Sequence, residues 1–195
     1  MTDNRTSKVY VDEKTFEKTD FIQEPLAKGD YDNCTFLNCN FANADISQIS
    51  FTRCEFRGCN LSMAKIVKAG FKDVRFKDCK LLGLHFENSS ELLFSVYFEN
   101  CQLNLASFYK LNLKKTRFKN CTLHEVDFSD CNLSEALFDN CDMHLAKFER
   151  TNLEKADLRT SFNYSIYPEI NKMKKAKFSK DGIAGLLDKY DIEIE

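Results

Sequence analysis

The sequence predicts a solenoid, a chain wound into short coils that are stabilised mainly by the coils on either side. Two observations predict it. Between Cys121 and Met143 bulky apolar residues recur every five positions, at Leu123, Phe128, Leu133, Phe138 and Met143. Each is preceded two positions earlier by a compact one: Cys121, Val126, Cys131, Ala136 and Cys141. The residues between are polar, a pattern that neither the helical period nor strand alternation produces. The second observation is composition. Eighteen Phe beside six Gly and two Pro suit one apolar slot filled many times and argue against a loop-rich enzyme.

Residues 1–29 are expected to form an N-terminal segment and cap. Val9, Tyr10 and Val11 are a candidate short strand, and Phe16 and Phe21 already carry the phase. Lys14, Thr19 and Glu24 occupy the compact slots, however, and Pro25 interrupts. A cover is needed there because a solenoid end exposes core and an unpaired edge. From Tyr31 the apolar centres run Phe36, Phe41, Ile46, Phe51, Phe56, Leu61, Ile66, Phe71, Phe76, Leu81 and Phe86. The next centre by spacing is Leu93, seven residues on. The series then resumes through Phe98, Leu103, Phe108, Leu113, Phe118 and the stretch above to Phe148, Leu153 and Leu158.

Written four to a coil, the centres form a column Phe36, Phe56, Phe76, Phe98, Phe118, Phe138, Leu158. A second column is Phe41, Leu61, Leu81, Leu103, Leu123, Met143. Like stacks on like across the slip only if two residues are extruded. Residues 87–92 are therefore predicted to bulge from one continuous repeat domain, 30–160. Residues 161–195 are expected to be irregular until a short helix at about 180–190, capped by Ser179 or Asp181. Ile183, Leu186, Leu187 and Tyr190 would share its apolar face. Gly182 and Gly185 weaken such a helix by about 1 kcal/mol each relative to Ala, so it must dock to persist. Residues 191–195 alternate like a short end strand, a ready pairing edge.

Nine cysteines invite a chemical reading, yet Cys34, Cys39, Cys54, Cys59, Cys79, Cys101, Cys121, Cys131 and Cys141 all fill the compact slot. Six of them, Cys39, Cys59, Cys79, Cys101, Cys121 and Cys141, fall one per coil in a single column. Coils about 4.8 Å apart place these side chains in parallel, the wrong vectors for disulfides. A line of thiols also lacks the convergence of a zinc site. They read as small buried hydrophobes. The N-terminal residues show no export leader, so reduced thiols in a cytoplasmic protein are expected. No apolar run is long enough to cross a bilayer. His124 and His144 should stack outside near Glu125, but partners for a metal are missing. No nucleophile–His–carboxylate spacing, phosphate-binding Gly loop or H-E-x-x-H occurs. Catalytic residues, metal and cofactor are accordingly all read as none.

The net charge is −2. Residues 30–160 hold 17 basic and 18 acidic residues, so no global preference for a charged partner emerges. Arg53, Arg57, Lys72, Arg75, Lys77, Lys114, Lys115, Arg117 and Lys119 map to two adjacent faces. Residues 120–144 lack Lys and Arg but carry Glu125, Asp127, Asp130, Glu135, Asp139 and Asp142. Leu92, Phe94 and Tyr97 lie outside the core slots. With Arg75, Lys77, Arg117 and Lys119 they form the candidate partner contact; local packing of the bulge on its own coil is the alternative. Few outward aromatics argue against single-stranded nucleic acid.

The segments A-D-I-S-Q at 44–48, C-N-L-S-M at 59–63, C-N-L-S-E at 131–135 and A-D-L-R-T at 156–160 resemble the pentapeptide-repeat family. The resemblance implies an all-β fold, a right-handed quadrilateral β-helix of about seven coils, here followed by a short C-terminal α-helix. C-T-F-L-N-C-N-F-A-N-A-D-I-S at 34–47 and the ending L-L-D-K-Y-D-I-E-I are similar to the quinolone-resistance, or Qnr-like, branch. That likeness implies a non-enzymatic protein that binds a type II DNA topoisomerase such as gyrase. It also implies a homodimer through the C-terminal helix, with Ile183, Leu186, Leu187, Tyr190, Ile192 and Ile194 as the dimerisation residues. Branch members carry two projecting loops, and this chain has only the two-residue slip. A protein-interaction scaffold with an unrelated partner is the competing expectation.

Overall fold

Each coil lays its residues over those twenty positions earlier, twenty-two at one place, and its backbone bonds to the neighbouring coils. In the computed structural model, which describes residues 8–193, two faces carry strands, all paired in parallel. On one, β1 (Val9–Asp12), β3 (Gly29–Asp32), β5 (Ser50–Thr52) and β7 (Gly70–Lys72) form a four-stranded sheet. On the next, β2 (Thr15–Glu17), β4 (Thr35–Leu37), β6 (Glu55–Arg57), β8 (Val74–Lys77), β9 (Val96–Glu99), β10 (Arg117–Lys119) and β11 (Leu137–Asp139) form a seven-stranded sheet. Bridges from Leu137 to Asp157 and on to Lys177 prolong that ladder. The other two faces are held by single bridges, such as Asn40–Asn60–Lys80–Gln102 and Ser107–Asp127–Lys147. The result is a four-sided parallel β-solenoid. The stack already includes β1 and β2.

Inward centres form ladders of rings. Phe36, Phe56, Phe76, Phe98, Phe118 and Phe138 stack with centroids 4.6, 5.1, 5.4, 5.2 and 4.9 Å apart. Phe86, Phe108, Phe128 and Phe148 stack likewise at 4.6, 5.4 and 5.2 Å. These separations follow the strand spacing of about 4.8 Å, so ring stacking and backbone pairing obey one repeat.

The cysteines are free and buried, and they do more than fill space. Five of the six thiols in the column donate to a carbonyl of the preceding coil, among them Cys59 Sγ to Phe36 O at 3.2 Å, Cys79 to Phe56 O at 3.3 Å and Cys101 to Phe76 O at 3.3 Å, while Cys121 donates to Lys119 O of its own coil. Cys59 Sγ also accepts the Cys39 amide at 3.4 Å. Ser161 continues the column with the same pair of bonds, donating to Phe138 O at 3.0 Å and accepting the Cys141 amide at 3.2 Å. Thr151 repeats the role above Cys131, with Oγ1 donating to Phe128 O at 2.8 Å. The compact slot is therefore a buried hydrogen-bonding position. Burial pushes Cys54 and Cys131 up to about 12, which keeps these thiols protonated and able to donate.

At most corners the residue two after the centre has positive φ: Asn38 at 52°, Met63 at 57°, Lys115 at 63°, Glu135 at 60°. Such a conformation costs an L-residue roughly 1–2 kcal/mol. Asn and Asp tolerate it best and fill many corners, including Asn33, Asn100, Asn120 and Asn140. Elsewhere the next coil holds the corner, as where Lys115 N donates to Ser134 O at 3.0 Å and Glu135 N to Glu154 O at 2.9 Å. This is how a chain with six Gly turns a corner every five residues.

The slip is an insertion. Val74 pairs with Val96 and Phe76 with Phe98, two residues beyond the usual register. The expected centre, Leu93, is not in the core. Its φ of 59° turns it outward, leaving Leu92 and Leu93 78% and 61% exposed. Phe94 turns in instead, half-buried and edge-on to Phe71 and Phe86. The four-stranded sheet ends here at β7.

The C-terminal helix also differs from expectation. Residues Asp181–Leu186 and Asp188–Tyr190 are 3-10 turns, not an α-helix, closed by bonds such as Leu187 N to Ala184 O at 2.9 Å. A side chain at Gly182 would collide with the Tyr164 hydroxyl, and one at Gly185 with the Tyr164 carbonyl. The segment is pressed flat on the last coil. A 3-10 backbone does not gather Ile183, Leu186, Leu187 and Tyr190 on one face. Residues 191–193 are not a strand, and 194–195 lie outside the described residues.

If the thiol's bonds matter more than its polarity, Cys59→Ser should retain more stability than Cys59→Ala in urea unfolding. The expected gap is about 1–3 kcal/mol, the cost of leaving the buried Cys39 amide unpaired. The reverse order would mean that the slot is purely apolar.

Candidate protein-binding face

β8, β9 and β10 lie side by side with Phe76, Phe98 and Phe118 inward, so their flanking residues form two outward columns. Arg75, Tyr97 and Arg117 make one; Lys77, Glu99 and Lys119 make the other. β6 adds Glu55 and Arg57 in register. Between these columns runs an open depression of about 600 Å³, lined by Glu55, Arg57, Arg75, Lys77, Tyr97, Glu99 and Arg117.

Both carboxylates are already engaged. Glu55 accepts Arg57 Nη2 at 2.8 Å. Glu99 accepts Lys119 Nζ at 3.1 Å and faces Lys77 Nζ at 4.0 Å. These bonds raise the pKa of Arg57 and of Lys119 above their ordinary values. Arg75 and Arg117 are exposed and make no ion pair or side-chain hydrogen bond among the described residues. Between them Tyr97 is half-buried, its phenol shifted upward by burial and then by Glu99.

The structure thus brings together five of the seven residues expected to meet a partner: Arg75, Lys77, Tyr97, Arg117 and Lys119. Leu92 stands apart on the insertion, on the neighbouring face with Lys72 and Ser50. Phe94 is withdrawn, because its ring packs on Phe71 and Phe86. The exposed apolar pair is Leu92 with Leu93, which the regular spacing hid by assigning Leu93 to the core.

Three acids of the stretch 120–144 are paired with basic side chains, and Glu125, Asp127 and Asp139 have no ion pair among the described residues. Asp130 is gripped by Arg150 at 2.8 and 2.9 Å, which holds its carboxyl below the usual range. Glu135 meets Lys114 at 3.4 Å and Lys115 at 3.8 Å. Asp142 lies 2.8 Å from His124 and accepts Asn163 at 2.9 Å. His124 and His144 sit edge-on at 5.8 Å. No group of three His, Cys, Asp or Glu among the described residues is arranged to hold a metal ion.

At the C-terminal end, Leu186 packs partly on the core and Leu187 is half-buried, while Ile183, Tyr190 and Ile192 are exposed. Ile194 lies outside the described residues. Glu169 ties the segment down by accepting the Tyr190 hydroxyl and pairing with Lys189. None of the described helices is long and apolar enough to cross a membrane.

The sequence profile of the pentapeptide repeat region matches residues 29–90 and 92–163. The chain belongs to the pentapeptide repeat family. The break between the matched segments falls within the insertion. Among solved pentapeptide-repeat and related structures, the chain is similar to full-length QnrB1, a plasmid-mediated fluoroquinolone resistance protein. The identity is 19%, the TM-score 0.57, and the match covers 94% of this chain and 100% of that one. It is also similar to HetL, a pentapeptide repeat protein involved in heterocyst differentiation regulation from the cyanobacterium Nostoc sp. That match has 12% identity, a TM-score of 0.41 and coverage of 88% and 85%. No match is found among curated proteins.

The Glu169 tie makes the C-terminal segment acid-sensitive. Lys189 and then Tyr190 lower the Glu169 carboxyl to about 2, against about 4.3 in an unfolded chain. A depressed pKa stabilises above the unfolded value, and the contribution is lost as pH falls toward the folded one. Amide protection factors at Leu187 and Tyr190 should therefore fall between about pH 4 and 2. Glu169→Gln should lower them at neutral pH. Unchanged protection in that variant would assign docking to Leu186 alone.

Proposed function

We propose that this protein is a binding module, not an enzyme: a four-sided rod that docks on a protein partner. Its most specific reading is that of a Qnr-like partner of a type II DNA topoisomerase that shields the enzyme from quinolones. The observation that carries this reading is the likeness of fold to QnrB1 over 94% of this chain and the whole of that one. The residues at 34–47 and the C-terminal ending support it. The protein would act as a homodimer in the cytoplasm, joined through the C-terminal segment with Ile183, Tyr190 and Ile192 exposed for the contact.

The charge pattern argues against docking by simple imitation of DNA. Asp130, Glu135, Asp142 and Asp157 each have a Lys, Arg or His partner, so their carboxylates make no continuous negative surface. A second reading, a scaffold for an unrelated protein, is favoured by the surplus of cations on β8, β9 and β10.

A gyrase supercoiling assay with ciprofloxacin separates the two. On the first reading, purified protein restores supercoiling in the drug's presence at micromolar concentration; no protection together with no gyrase binding leaves the scaffold. Deleting residues 179–195 should halve the mass seen by light scattering, and an unchanged mass would rule out dimerisation through that segment.

A further inference from the structure

We infer that the Arg75–Tyr97–Arg117 column is a docking track for an acidic α-helical segment of a partner protein, laid along the solenoid axis. The inference rests on the reading of the chain as a binding module but does not depend on which partner it binds. Charge is the first argument. Of the five cations in and beside the depression, Arg57 has Glu55 while Lys77 and Lys119 share Glu99. Arg75 and Arg117 are left without a carboxylate among the described residues, both exposed on one flat sheet face. Two guanidinium forks presented in this way match carboxylates in geometry as well as in charge.

Spacing is the second argument. Arg75, Tyr97 and Arg117 occupy consecutive strands, so the two arginine Cα atoms lie about 9.6 Å apart with Tyr97 midway. On an α-helix, residues i and i+7 share a face and are separated by a rise of about 10.5 Å, with i+3 and i+4 midway. Carboxylates at i and i+7 therefore reach the two arginines while an apolar residue at i+3 or i+4 covers the Tyr97 ring. An extended strand repeats its faces every two residues, about 6.7 Å, and falls out of step with the column. Single-stranded nucleic acid needs successive aromatic platforms, and Tyr97 is the one aromatic among the outward residues of β6, β8, β9 and β10. In the same column Glu55 flanks Arg75 on one side and Leu137 flanks Arg117 on the other. The favoured helix therefore reads basic, acidic, apolar, acidic, apolar at three- to four-residue steps.

The test uses fluorescein-labelled peptides and fluorescence anisotropy with the full chain. One peptide carries Lys, Glu, Leu, Glu and Leu at those steps in an Ala-rich helix. A second has the same composition with its two Glu on opposite faces. The first should bind, more weakly as salt rises, and the second at least about tenfold less tightly. Arg75→Glu and Arg117→Glu should each weaken the first peptide by about tenfold or more, with Arg75→Gln as a milder confirming change and melting curves recording that each variant folds. Lys147→Glu, a charge reversal on another face, should leave binding unchanged. Equal binding of the two peptides, an equal effect of Lys147→Glu, or tighter binding of an oligonucleotide of the same length would overturn the inference, as would no binding. Gyrase protection without peptide binding removes only this track; peptide binding without gyrase protection removes only the topoisomerase reading.

Discussion

One register rules this molecule: residue n sits over residue n−20, or over n−22 across the insertion, and both the backbone and the core obey it. An amide left open at the edge of one coil is closed by a carbonyl of the next, as where Phe138 N donates to Asp157 O at 2.9 Å. Buried rings stack at the same interval. Because one distance serves both, moving a single residue out of phase would unpair its backbone and unstack its ring together. Corners in the left-handed region persist for the same reason: the neighbouring coils fix each corner's hydrogen bonds before its side chain has a say.

The register also explains what could be read from the amino acids alone. Phe36 to Phe138 could be placed in one column, and the two extra residues located, because apolar periodicity records the coil directly. The dual bonding of the cysteines was less legible, since Cys reads equally as a small hydrophobe; Ser161 and Thr151 in the same slot were the available signal. Leu93 and Phe94 exchanged roles because spacing counts residues, whereas the chain followed a left-handed turn at the insertion. The C-terminal turns tightened from α to 3-10 through contacts with Tyr164, a tertiary effect that a local period does not contain. The face on β8, β9 and β10 was legible as a charge pattern. Which charges were spent on one another was not, because Arg150 with Asp130 and Lys114 with Glu135 join coils through rotamers.

A solenoid of this kind separates the duties of its residues. Inward slots accept a narrow set of side chains, and the outward flanks of each strand carry almost no constraint from the core. The flanks therefore form a lattice whose rows are strands and whose columns are coils, with distances set by the backbone. Glu55, Arg75, Tyr97, Arg117 and Leu137 show how varied one such column can be. Exposed ion pairs along these columns contribute little stability apiece, so their arrangement is free to serve recognition.

The early end of the four-stranded sheet has a mechanical meaning. In a nearest-neighbour description of repeat proteins, stability is the sum of the coils and of the interfaces between them. Between β7 and the insertion one strand ladder is missing, and Ser90 N to Ala69 O and Ser95 N to Phe71 O hold that face. The junction is a soft interface between two cooperative blocks, the place where strain or partial melting would concentrate. β8 belongs to the block before it; β9 and β10 belong to the block after it. Any ligand lying across those three strands bridges the joint, so binding there would also brace the rod against opening at its weakest rung.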